Sequence, residues 1–339
     1  MHPKNEFSRR RFLKSSLAAT VGASILPSKA LAGPPDPSRS ATGTFGLAMV
    51  SSREGGRSRV DLVSLKDSRV LTTWHDFHAA HAVVPVEGLN RFFVHGVDTR
   101  TDQGLLMGVE VDPLTEHWRV LDAKEVAGGR PLHWQPNRAH TLIQYNTIGD
   151  KRLHVLDTRT LELESFEGGG RHSNMAFFNQ DRWLVATDRL RGATTLRVVD
   201  RASGQILSET PAGDWGHGVT VNDKTERAFV WANDGVHIVG LGKGTLGQHL
   251  GVLKPGIRGQ RSWFCWTPQG QRFSHDQTWN PGDHFASWLT VVDMENDELL
   301  RIEAGEQLGT LGISPDGSLG LCGSHSSNNV CLFDIPGNR

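Results

Sequence analysis

Apolar and polar residues alternate along this chain in short runs that turn residues interrupt. The last stretch shows the whole pattern. Leu308 to Asp334 holds an apolar strand carrying Leu311 and Ile313, a Ser314-Pro315-Asp316-Gly317 turn, and a small-residue strand from Leu319 to Gly323. A polar loop (Ser324 to Asn328) and a third strand ending in Asp334 complete it. Alternation bounded by turn residues predicts short antiparallel strands, and Pro followed by Asp-Gly sets the dihedrals of a tight reversal. One such unit cannot bury its own apolar faces, so its recurrence decides the fold.

The unit recurs. Second strands align at Arg91 to Val94, Thr141 to Gln144, Trp183 to Ala186, Ala228 to Trp231 and Arg272 to His275. Counting back ten residues from Arg91 and eleven from each of the others gives His81, Arg130, His172, His217, Arg261 and, in the last unit, Leu308, at separations of 49, 42, 45, 44 and 47 residues. That is the period of a propeller blade of four short strands. Third strands repeat at Val60 to Ser64, Val109 to Asp112, Leu153 to Asp157, Leu196 to Asp200, Val236 to Gly240, Leu289 to Asp293 and Val330 to Asp334. The terminal Asp is expected to start a turn and accept backbone hydrogen bonds. These series predict an all-β chain, a single β-propeller of seven four-stranded antiparallel blades with irregular closure. The amino end would supply strands two to four of its blade, and the carboxyl end would stop after strand three. No long amphipathic helix interrupts the series, so residues 45–339 read as one propeller, and the Gly, Pro and Ser-rich residues 33–44 as a linker.

Residues 1–32 read differently. Ser8-Arg9-Arg10-Arg11-Phe12-Leu13-Lys14 matches the twin-arginine export signal, a weakly apolar run follows from Ser15 to Leu26, and Ala30-Leu31-Ala32 supplies small residues for cleavage near Gly33. The run is too short to span a bilayer comfortably. Periplasmic localisation by export in the folded state is the expectation. The leader carries six cationic residues against Glu6, so the formal net charge of −1 becomes −6 without it. That balance disfavours nucleic acid and anionic membranes as partners. Cys265, Cys322 and Cys331 read as small buried strand residues, with a Cys322–Cys331 cross-strand bond left open after export. The ten tryptophans read mostly as packing between blades.

Candidate chemistry follows from the repeat. Innermost strands of a propeller start on one face near the axis, so His81, Arg130, His172, His217 and Arg261 form a ring at one mouth of the channel. His95, Tyr145, Asp188, Asp234, His275, Asp276 and His325, at second-strand ends, reinforce that face, and the loop before His81 adds His75 and His78. Imidazoles grouped with carboxylates can ligate a transition metal, with iron or copper as candidates, so His81, His172, His217, His78 and His75 are the candidate ligands. Arg130 and Arg261 favour a carboxylate or phosphate and are the candidate anion anchors; pairing with Asp188 or Asp276 is the alternative for both. Gly168-Gly169-Gly170 reads as a flexible turn. No Gly-x-Ser-x-Gly elbow, His-Glu-x-x-His, phosphate loop or Cys-x-x-Cys-His is present.

With the leader, the third-strand series, the His81 loop and the Ser314-Pro315-Asp316-Gly317 blade established, the chain resembles a family of exported bacterial proteins known as domain of unknown function 1513. The likeness covers nearly all of the chain after the leader. It implies a periplasmic propeller encoded near imelysin-like and dihaem cytochrome-type proteins in loci linked to iron acquisition, with those proteins as partners. It carries no ligand residues. The resulting expectation is a non-catalytic propeller that binds a metal, a metal chelate or an acidic partner at the His/Arg mouth. A metal- or haem-dependent enzyme and a protein-interaction scaffold remain as other readings.

Overall fold

Every element described is a β-strand, twenty-seven in all, in a computed structural model. It describes residues 24–25 and 47–253, apart from 55–56, 65–66, 68, 76, 87–88, 99–100, 102, 127–130, 138, 148, 171–173, 191, 217 and 233. Beyond these it describes the strand segments 265–266, 272–276, 286–293, 298–306, 308–313, 319–324 and 330–334.

The strands form seven antiparallel sheets in chain order. Blade 1 holds β1 to β4 (Ser24–Ile25, Leu47–Glu54, Arg57–Ser64, Arg69–Trp74) and blade 2 holds β5 to β8 (Phe77–Val86, Arg91–Asp98, Gly104–Val111, Trp118–Val126). Blade 3 comprises β9 to β12 (Pro131–Pro136, Leu142–Thr147, Leu153–Asp157, Leu163–Phe166), and blade 4 β13 to β16 (Met175–Phe178, Trp183–Leu190, Ala193–Asp200, Ile206–Asp214). Blade 5 comprises β17 to β20 (Gly218–Asn222, Arg227–Ala232, Gly235–Gly240, His249–Leu253) and blade 6 β21 to β24 (Cys265–Trp266, Arg272–Asp276, Ala286–Asp293, Glu298–Glu306). Blade 7 has three strands, β25 to β27 (Leu308–Ile313, Leu319–Ser324, Val330–Asp334). The chain is a β-propeller, and all seven third-strand copies in the sequence are third strands of blades.

Two boundaries differ from the sequence reading. Blade 1 has a first strand after all, because Ser24 and Ile25 pair with Met49 and Ala48; cleavage near Gly33 would remove it. In blade 2 the first strand begins at Phe77, not at His81. Register shifts between His78 and Ala82, so that Ala79 to His81 stand opposite Gly96 alone. Extra residues on one strand make a β-bulge, which local turn chemistry does not announce.

The core lies between blades. Strands such as β10 and β19 are buried at every position, so they read as continuous apolar runs rather than half-exposed alternation. Successive residues point opposite ways. In β14, Leu184 and Ala186 pack with Leu142, Val155 and Met175 of blades 3 and 4, while Val185 packs with Val219 and Val230 of blade 5. Val60 and Leu62 meet Phe92, Val94 and Met107 between blades 1 and 2. Outer strands are the exposed ones, as in β12. The tryptophans follow this scheme in part: Trp134 and Trp231 are buried in it, whereas Trp118 and Trp215 are exposed.

Among the described side chains, the Asp residues at three third-strand ends cap turns; the side chains of Asp293 and Asp334 lie outside those described. Asp112 Oδ1 accepts from Leu114 N (2.8 Å), Asp157 Oδ1 from Arg159 N (2.7 Å) and Thr160 N (2.9 Å), and Asp200 Oδ1 from Ser203 N (2.9 Å). The hydrogen bond from Thr115 holds the Asp112 carboxyl below the usual carboxylate range, and the Ser203 amide does the same for Asp200.

Candidate functional site

Antiparallel order puts the starts of the innermost strands and the ends of the second strands on one face. Arg130 immediately precedes β9 and His217 immediately precedes β17 in the chain. Both, with His172 and Arg261, lie outside the described residues. His78 and His81 are on β5 at the bulge. His75 follows β4 directly and is exposed. Among the described residues no group of three or more His, Cys, Asp or Glu side chains is placed to hold a metal ion.

What the structure adds on this face lies between blades 3 and 4. Gln144 is two residues from Leu142 on β10 and shares its side, toward blade 4; Asp188 is two residues from Ala186 on β14 and faces back toward blade 3. Arg197, on β15, binds Asp188 Oδ2 through Nη1 (2.8 Å) and the same nitrogen donates to the carbonyls of Gly168 (3.3 Å) and Gly169 (3.5 Å). Asn146 Nδ2 donates to Gly170 O (3.4 Å). One guanidinium thus gathers a carboxylate and the glycine run. The run is packed, not a flexible turn: a Cβ on Gly169 would overlap the Lys151 carbonyl, and one on Gly170 would overlap the Asp188 carboxylate. Gly168, at φ +97°, occupies the left-handed region that suits glycine.

This cluster contains buried polar atoms that have no partner among the described residues: both amide atoms of Gln144 and Asp188 Oδ1. Gln144 is fully buried and Asp188 nearly so. Buried polar groups in folded proteins are nearly always satisfied, and each exception calls for a water, an ion or a ligand. Asp188 Oδ2 is taken by Arg197; Arg130 and Arg261, for which pairing with Asp188 or Asp276 is the alternative, lie outside the described residues. Arg197 also pairs through Nε with Glu209 Oε1, so two carboxylates share one guanidinium and the cluster carries a net negative charge, leaving amide and carboxylate oxygens that can meet hydrogen-bond donors.

His95 and Tyr145, expected to line the mouth, are instead fully buried between blades 2 and 3. Trp134 Nε1 donates to His95 Nδ1, and Tyr145 stacks on His154 with ring centroids 4.9 Å apart. His154 is bound at both nitrogens, by Ser165 Oγ (2.8 Å) and Asp150 Oδ2 (2.8 Å). Burial pushes its pKa down more than Asp150 pushes it up. Burial likewise pushes the Tyr145 hydroxyl up.

A second polar chain starts from Asp234. His237 Nε2 donates to Asp234 Oδ1 (3.0 Å), and His237 Nδ1 is within hydrogen-bond distance of His249 Nε2 (2.9 Å). Burial raises the Asp234 carboxyl, but hydrogen bonds from Asp214 N (3.0 Å) and His237 outweigh it and hold the group below its ordinary value. Asp234 and His237 show an Asp-x-x-His spacing; His249 arrives from β20, which only the strand register reveals.

No family model matches the chain, and no curated protein matches it in sequence. Solved structures do resemble it. Kuenenia stuttgartiensis hydrazine synthase is 15% identical over 99% of both chains with a TM-score of 0.63. A chain of the mitotic checkpoint complex is 11% identical over 99% of this chain and 98% of that one, with a TM-score of 0.66. The Cps50 (Swd1) β-propeller domain of Myceliophteria thermophila is 9% identical over 85% of this chain and 93% of its own, with a TM-score of 0.57. At these identities the likeness is one of fold: a WD40-like propeller.

Proposed function

We propose that this protein is an exported, non-catalytic propeller of metal acquisition whose mouth binds a metal chelate. The observation that carries the reading is the unsatisfied cluster between blades 3 and 4. Gln144 and Asp188 Oδ1 are buried without partners among the described residues. A chelate supplies what such a place lacks, since metal-bound waters donate hydrogen bonds and carboxylate oxygens accept them. Arg130 and Arg261 would hold its carboxylates, and His81, His172 and His217 would complete the metal's coordination or contact the chelate directly. The leader, the family resemblance and the acidic balance after cleavage support a periplasmic carrier with imelysin-like or dihaem cytochrome-type partners.

The test is a calorimetric titration of the purified protein with ferric citrate, alongside elemental analysis and an absorption spectrum of natively exported material. Binding to the wild type is expected, with loss of at least tenfold in affinity when His81, His172 and His217 are all replaced by Ala and circular dichroism is unchanged. Equal binding by the triple variant, or none by the wild type, overturns the assignment.

A further inference from the structure

In blade 7, β26 and β27 run antiparallel with Leu319 opposite Asp334 and Gly323 opposite Val330, which sets Cys322 directly opposite Cys331. Directly opposed residues in such a pair have Cα atoms about 4.5 or about 5.5 Å apart, according to their place in the ladder. Both spacings lie inside the range of about 4.4 to 6.8 Å that a disulfide spans. The third cysteine, Cys265, stands opposite Phe273 in blade 6 and faces no cysteine across its ladder. Among the described residues no strand lies beyond β27, so a bond here would tie an edge strand to its neighbour.

We infer that Cys322 and Cys331 form a disulfide by exchange on the already folded protein. The thiolate of one cysteine attacks a donor disulfide, a low-molecular-weight or protein disulfide of an oxidising compartment, and displaces one donor thiolate to give a mixed disulfide. The second cysteine's thiolate then attacks the bonded Sγ, forms the Cys322–Cys331 bond and releases the other donor thiolate. Two electrons and two protons pass from the pair to the donor, which leaves as two thiols. Folded-state export requires a pair that needs no refolding to close, and the strand register provides one. Where in the cell the bond forms rests on the export reading; the exchange itself does not.

Full-length protein purified under reducing conditions is equilibrated with mixtures of reduced and oxidised glutathione, alkylated and mapped by mass spectrometry. The expected product is a Cys322–Cys331 cross-linked peptide, lighter by two hydrogens, with Cys265 alkylated, and a higher thermal midpoint than the reduced protein. In Cys322→Ser no intramolecular cross-link is expected, and Cys331 is recovered alkylated or joined to glutathione. Three alkylated cysteines at every glutathione ratio, or a bond that involves Cys265, overturns the inference. Fractionation of expressing cells decides the export reading separately: oxidised protein in the periplasm supports both readings. A leader-bearing protein confined to the cytoplasm overturns export and leaves the exchange result standing.

Discussion

Tyr145 and Gln144 are neighbours in the chain that serve opposite gaps. Tyr145 is in the core between blades 2 and 3, sandwiched by Trp134 and His154, and its hydroxyl has no partner among the described residues. A buried hydroxyl without a partner costs stability rather than adding it. Tyr145→Phe is therefore expected to leave unfolding free energy unchanged or raise it by up to about 1 kcal/mol in chemical denaturation. A fall larger than that would mean the hydroxyl is bound in solution. Asn137 is the contrasting case. Its side chain is buried and satisfied, donating to Thr141 Oγ1 (2.9 Å) and Asp181 Oδ2 (2.7 Å) and accepting from Thr141 N (2.8 Å) and Leu142 N (3.0 Å). Three of these four bonds are local, to Thr141 and Leu142, and only Asp181 comes from the neighbouring blade, whereas the surroundings of the Tyr145 hydroxyl are set by blade packing.

At the scale of elements, the glycines of the turn before blade 4 are held by contact rather than by freedom. Gly169→Ala is expected to cost about 1 to 3 kcal/mol, since overpacking against backbone cannot be relieved by a rotamer change. Gly251, on outer strand β20, has open space where a Cβ would stand, and Gly251→Ala is expected to stabilise by about 0.4 to 1 kcal/mol through the unfolded chain. Thermal denaturation of the two variants side by side checks the pair; equal effects would sink the packing argument. The bulge of β5 belongs to this scale as well. Counting from a repeat template places His81 at a strand start, whereas pairing with β6 begins at Phe77.

For the whole molecule, His154 links pH to stability. Its folded-state pKa is lowered, by burial above all, while the unfolded chain titrates near 6.5. Below about 6.5 the unfolded state binds a proton that the folded state refuses, so stability is full at neutral pH, falls as pH drops, and levels off once the folded pKa is passed. Carboxylates with lowered values, Asp112 and Asp234 among them, lose their contribution only at lower pH, as they become protonated. The midpoint of thermal unfolding is expected to decline through this upper window in the wild type and to decline less in His154→Gln. Parallel curves for the two proteins would rule out the linkage.

The sequence by itself determined the blade. Strand period, turn residues and the closing Asp are local, because alternation and Asx turns involve residues a few positions apart, and the third-strand series reappears in the fold, with Asp112, Asp157 and Asp200 capping turns. Only the tertiary structure decided what each buried face meets. Arg197 reaches Asp188 and the glycine carbonyls, Trp134 reaches His95, and Cys322 stands opposite Cys331 because strands and blades dock at particular registers. Such contacts join residues that the chain keeps apart, and a one-residue change of register would exchange the two faces of a strand. The expected ring of His and Arg positions rests on repeat spacing alone, whereas Gln144 and Asp188 Oδ1, without partners among the described residues, come from blade packing.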